Sequence, residues 1–307
     1  MLIDFFARRI VQSVLVLLGV ATVVFGLMHL SGDPVRLLAP IDTTSEELAT
    51  LRKAYGLDRP LVVQYWDFLT SAARGDFGTS LRSRQDALQL VFERLPATLY
   101  LSLASLGIAL LTAIPLGVIA ALNHNTWRDR LVMGVALIGQ SMPVFWLGIL
   151  LIMVFAVWLN VLPATGTRDG WRSYVLPAVT LGLYSMARTA RFLRTELLDS
   201  LGQDYIRTAK AKGARPARVI WRHALRNALI PVVTLIGLDL AALLAGSVIT
   251  ETIFAWPGVG RLAINAIYNR DFPVLQASVM VVSTIYVVVN LIVDLLYGVL
   301  DPRIEVT

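Results

Sequence analysis

Apolar residues gather in long runs along this chain, and the polar residues collect between them. Ile10 to Leu30, Thr98 to Leu122, Leu131 to Leu159, Leu229 to Ile249 and Val274 to Leu296 are such runs. Each supplies the roughly 20 residues that a helix rising about 1.5 Å per residue needs to cross a hydrocarbon layer. A sixth run, Tyr174 to Met186, is short and ends against Arg188. Ile10–Leu30 follows Arg8 and Arg9 and ends at the turn-forming Ser31-Gly32-Asp33-Pro34 with no small-residue cleavage pattern, so it reads as a retained anchor.

Charge decides the status of the short run. Arg188, Arg191, Arg194, Arg207, Lys210, Lys212, Arg215, Arg218, Arg222 and Arg226 lie in one stretch, against Glu196, Asp199 and Asp204. Lys and Arg in short loops stay on the cytoplasmic side. With the N-terminus inside, six spans place residues 123–130, about 188–228 and the C-terminus inside, whereas five would export these cations. The expectation is an all-α polytopic membrane protein with six transmembrane helices and both termini cytoplasmic. Ser31 to about Ala97 is then external. Within it Ser45-Glu46-Glu47-Leu48 reads as a helix start, Leu61–Leu69 has helical apolar spacing, and Gly75-Asp76-Phe77-Gly78 reads as a turn.

Composition agrees with a lipid-solvated chain: 56% of the 307 residues are hydrophobic and 16% charged, against about 25% charged in soluble proteins. The absence of cysteine removes disulfides, thiolate metal sites and a cysteine nucleophile. The net charge of +6 is explained by the inside bias of the cations, and no nucleic-acid partner is needed. His29, His124 and His223 are scattered among separate segments, which argues against a local metal site.

The most informative polar segment runs from Gln203 to Pro231. Its first part favours helix, Gly213 is placed to end that helix in the left-handed region, and Pro216 suits the first turn of another. Tyr205, Ile206, Val219, Ile220 and Trp221 add apolar surface. A structured helix–turn–helix reads as a docking element for a cytoplasmic partner; the alternative is a solvated anchor loop.

This segment resembles the cytoplasmic coupling loop, or EAA loop, of ABC-importer permeases. Arg207-Thr208-Ala209 stands at the Glu-Ala-Ala-like element, Lys210 follows, and Gly213 takes the glycine position. Arg207 replaces the common glutamate and the usual proline is delayed to Pro231. Those departures are similar to the dipeptide, oligopeptide and nickel branch. So are Gly32-Asp33-Pro34, Gly75-Asp76-Phe77-Gly78, the run from Glu251 to Gly260 that holds Phe254-Ala255-Trp256-Pro257-Gly258, and the ending from Asn290 to Arg303.

The resemblance implies a type I importer permease fold in a bacterial inner membrane, with residues 1–93 forming a first transmembrane helix plus external segment. Residues 94–301 would form a five-helix core carrying the coupling loop at about 188–228. It implies a second homologous permease, two ATP-binding subunits and an external solute-binding protein as partners, with lipid around them. ATPase coupling would fall to Arg207, Thr208, Ala209, Lys210, Gly213 and Pro216. ATP and Mg would sit on the partner subunits: the only lysines are Lys53, Lys210 and Lys212 and no Gly-Lys pair occurs, so this chain lacks a phosphate-binding loop. It carries no recognisable set of catalytic residues. Di- or oligopeptides are the expected substrates, with nickel chelates, glutathione or another small solute as alternatives.

Asp239 lies near the middle of the fifth run, where a carboxylate is costly. It either lines the pathway or makes a structural hydrogen bond at the interface with the sibling permease. Gln140, Ser141 and Pro143 interrupt the third run; Gln140 and Ser141 are further pathway candidates, although helix packing also accounts for the interruption. A self-sufficient secondary transporter would show several membrane-embedded charges or inverted repeats; one central acid and no repeat disfavour it.

Overall fold

Helix α1, Leu2–Leu30, takes up the first apolar run. The structure, a computed structural model, describes residues 2–30, 44–54 and 56–300. Gly32-Asp33-Pro34 and Asp301-Pro302-Arg303 lie outside them. The described residues are helical apart from turns and an isolated bridge between Thr79 and Asp86, and they divide into two compact units.

The first unit comprises described residues of Met1–Thr98 and Pro257–Val287. Helix α2, Ser45–Ala54, starts in a capping box. The Thr44 N–H donates to Glu47 Oε2 at 2.9 Å and the Glu47 N–H donates to Thr44 Oγ1 at 3.4 Å. The bonds from Thr44 hold the Glu47 carboxyl below the usual glutamate range, the backbone one most. Helix α3, Leu61–Ala73, rests on α1: Tyr65 lies edge-on to Phe25 at 5.3 Å, and His29 bonds Gln64 at 3.1 Å. Gly75 and Gly78 both have φ near +80° (78° and 80°) and make the expected turn. Helix α4, Ala87–Leu122, begins in this unit and ends in the other.

Two polar clamps tie this unit together. Asp271, buried, accepts from Ser80 Oγ at 2.6 Å and from the Leu81 N–H at 3.2 Å. Thr98 Oγ1 accepts from the Val259 N–H at 2.8 Å, satisfying a first-turn donor of helix α10, Val259–Tyr268. Ala87, Val91, Val259, Ala266, Val274 and Ala277 form the apolar core beneath them. Val274 and Ala277 belong to helix α11, Phe272–Leu300.

The second unit comprises described residues of Leu99–Trp256 and Val288–Glu305. The single run expected from Leu131 to Leu159 is two helices. Helix α5 is Trp127–Ser141 and helix α6 is Val144–Leu151, continued as a π-helix over Ile152–Trp158. The helix direction bends by 105° between the two arms. Pro143 has no N–H to donate and drives Met142 into extended backbone (φ −78, ψ 129), so the chain turns there.

The short run becomes helix α7, Arg172–Gly202, 31 residues long. It reaches well past Arg188, and Ala178, Ala190, Leu193 and Leu197 are fully buried along it. Its hydropathy is low because Arg188, Arg191, Arg194, Glu196 and Asp199 lie within it, and its apolar surface is covered by protein. A Cβ on Gly182 would stand 2.6 Å from the Ser105 carbonyl oxygen, so only glycine allows α4 and α7 to cross this closely.

Helix α8 is Asp204–Ala211. Helix α9, Leu225–Ile253, is entered through a helical turn at Pro216–Arg218 and a π-helical Val219–Ala224. Tyr174 sits edge-on to the fully buried Trp256 at 4.6 Å and packs against it. Among the described residues, four helices can cross a membrane by length and composition: α1 from Ala7, α4, Pro216–Ala245 and α11. The bent pair α5–α6 adds a fifth if it is one broken span.

Candidate functional site

The helix–turn–helix after α7 is built by local chemistry. Arg207 Nη1 donates to Asp204 Oδ1 at 3.1 Å, and Thr208 Oγ1 donates to the Asp204 carbonyl at 3.0 Å. The far end is closed by a Schellman pair: the Gly213 N–H reaches the Lys210 carbonyl at 3.0 Å and the Ala214 N–H reaches the Ala209 carbonyl at 3.1 Å. Gly213 has φ +76°, the left-handed conformation expected of it. Pro216 opens the next helical turn from its first position.

This hairpin is fixed to the rest of its unit through a small set of side chains. Ile206 is fully buried and packs in a core with Val118, Leu193, Leu197, Val219 and Ala224. Ser200 Oγ, at the end of α7, bonds Tyr205 Oη at 2.6 Å and donates to the Ala224 carbonyl at 3.0 Å. Ile206 and Val219 are therefore not free apolar surface, whereas Tyr205 and Trp221 are exposed. Arg207, Thr208 and Lys210 point outward and Ala209 is half-buried.

The second cluster is one that hydropathy and charge counting missed. Arg188, Arg191 and Arg194 recur every third residue along α7, and each reaches a polar group on another helix. Arg188 Nη1 pairs with Asp239 Oδ1 of α9 at 3.0 Å, and Thr189 Oγ1 donates to Asp239 Oδ2 at 3.4 Å. Arg191 Nη2 donates to Gln140 Oε1 of α5. Arg194 grips Asp129 of α5 with two bonds, Nε to Oδ1 at 2.6 Å and Nη2 to Oδ2 at 2.7 Å. His124 Nδ1 stands 3.0 Å from the same guanidinium.

Asp239, Gln140 and Ser141 thus do not converge on one another. Asp239 is only 2% exposed, and its partner is an arginine of its own chain. Gln140 joins the same ladder one helical turn further along α7, while Ser141 Oγ donates to the Leu137 carbonyl at 2.9 Å. The signal in the sequence was the Arg-x-x-Arg-x-x-Arg spacing, set against single acids in otherwise apolar helices.

The family described as binding-protein-dependent transport system inner membrane component matches residues 113–306. The N-terminal component of the same system matches residues 1–104. The glutathione transport system permease protein GsiC of Salmonella typhimurium strain LT2 is 42% identical over 305 residues, covering 99% of each chain. That of Escherichia coli strain K12 is 41% identical with the same coverage. Among solved structures, the inward-facing MetNI methionine ABC transporter aligns with TM-score 0.59 at 19% identity, covering 69% of this chain and 97% of that one. An amino acid ABC transporter with histidines aligns with TM-score 0.53 at 16% identity, covering 70% and 94%. The two structures establish the fold. With matches that span nearly the whole sequence, the chain belongs to the binding-protein-dependent transport family and is the multi-pass inner-membrane permease subunit of an ABC importer.

Proposed function

We propose that this permease moves small peptides, glutathione or di- and oligopeptides, across the inner membrane as one of two permease halves. Two ATP-binding subunits, holding ATP and Mg, dock on the cytoplasmic face, and an external solute-binding protein delivers the cargo. In this reading the chain crosses the membrane six times with both termini cytoplasmic, and residues 1–93 are an addition to a core running from residue 94 to about 301.

The observation that carries the substrate reading is the full-length similarity to permeases named for glutathione transport. The 204–216 hairpin supports the coupling role. It combines a rigid closure at Gly213, outward-facing Arg207, Thr208 and Lys210, and a buried root at Ile206. A load on α8 would pass through Ile206 and Ser200 into α7 and α9. Arg207, Thr208, Ala209 and Lys210 would form the contact, with Gly213 and Pro216 keeping its shape.

The test is uptake by the complete complex in proteoliposomes, with binding protein outside and ATP inside. ATP-dependent accumulation of glutathione or an alanine tripeptide is expected. Accumulation of a nickel chelate but no peptide would reassign the substrate.

A further inference from the structure

We propose that Arg188 and Arg191 form a carboxylate-binding step on the translocation route; this rests on the peptide reading above and names the chemical group recognised. Helix α7 leaves one stripe uncovered in this chain, through Tyr184, Arg188, Arg191 and Thr195. Residues four and three apart share a helix face, and the rest of the helix is mostly buried.

The charges on that stripe are unequally matched. Asp239 keeps only 3% of its side chain exposed and Arg188 keeps 38%, so the pair turns its cation outward and its anion inward. Arg191 is exposed and bonds a neutral amide, Gln140, which leaves its charge uncompensated. One helical turn therefore presents two guanidinium groups against one acid. Hydrocarbon does not solvate such a stripe, so it faces water, either in the route or at its cytoplasmic mouth, or a partner.

Every unmodified peptide ends in a carboxylate, and a guanidinium fork matches a carboxylate in shape and charge. The present partners suit a transient contact. Gln140 gives up a neutral bond when an anion arrives, and Asp239 competes for Arg188, which keeps the substrate from being held too tightly to leave.

The experiment uses the full complex in proteoliposomes, with an alanine tripeptide and its C-terminal amide as probes, each at saturating loading of the binding protein. Arg191→Gln should lower tripeptide uptake about tenfold, the scale of one lost charge-assisted hydrogen bond. Uptake of the amide should change less than about twofold, because the lost group has no carboxylate to meet. The charge-neutral pair Arg188→Gln with Asp239→Asn should show the same selectivity without stranding a buried acid, and Arg191→Lys should recover part of the loss. Equal loss of acid and amide would assign the arginines to packing and overturn the proposal, as would wild-type uptake of both. A wild-type complex that takes up neither probe nor glutathione would overturn the peptide reading and this inference with it.

Discussion

Truncating Ile206 to alanine cuts the main apolar tie between the α8 hairpin and its unit. The side chain is fully buried and lies in the core formed with Leu193, Leu197, Val219 and Ala224. Removing its outer carbons costs about 2–4 kcal/mol, from the lost apolar transfer and the cavity left behind. α8 is short and, apart from the half-buried Ala209, otherwise exposed, so that cost falls on local docking and leaves the fold in place. The population of undocked hairpin rises by about one and a half to three orders of magnitude.

Amide exchange of residues 204–212 should accelerate accordingly in Ile206→Ala, with exchange in α7 and α9 nearly unchanged. In the reconstituted complex, ATP hydrolysis should continue while uptake per ATP falls, because force on α8 no longer reaches Leu193 and Val219. Wild-type exchange together with wild-type uptake per ATP would refute the reasoning.

Other sites carry separate expectations. Gly182→Ala should destabilise the detergent-solubilised chain by about 1–3 kcal/mol, seen as a lower midpoint in thermal unfolding, because its Cβ meets the Ser105 carbonyl. Arg188→Met should be more destabilising than Arg188→Met with Asp239→Leu, since the single change strands a buried carboxylate; equal midpoints would show that the pair is not coupled. The full cost of about 3–5 kcal/mol for breaking a buried pair is an upper bound here, because Arg188 is 38% exposed and partly screened. Arg194→Ala should cost about 2–3 kcal/mol and free the 123–129 connection, detectable as faster proteolysis there.

Much of the fold was legible because lipid imposes a simple rule on sequence. The apolar runs of α1, α4, α9 and α11 are helices, and Gly213 and Pro216 mark the hairpin ends that their backbone preferences dictate. Thr44 and Glu47 place the start of α2 within a residue of the expected position.

What was not legible depends on neighbours. The apolar run of α7 is cut short by its three arginines, which meet Asp239, Gln140 and Asp129 on the helices that cover it. Hydropathy counts those arginines as solvated cations, since it carries no knowledge of partners 51 to 65 positions away in the chain. The turn at Pro143 shows the same limit. A proline announces a break, but only the packing of the two arms sets an angle of 105°. Ile206 and Trp221 look equally apolar in the sequence, yet one is the root of the hairpin and the other is exposed.

The central claim is that α8 projects on the cytoplasmic face and carries the ATP-binding partner. The chain has no cysteine, so Thr208→Cys introduces a single thiol at an exposed position of that helix. A membrane-impermeant maleimide should label it in inside-out vesicles and leave it unlabelled in intact cells, and assembly with the ATP-binding subunits should block the reaction. Labelling in intact cells, or equal labelling with and without those subunits, would contradict the account.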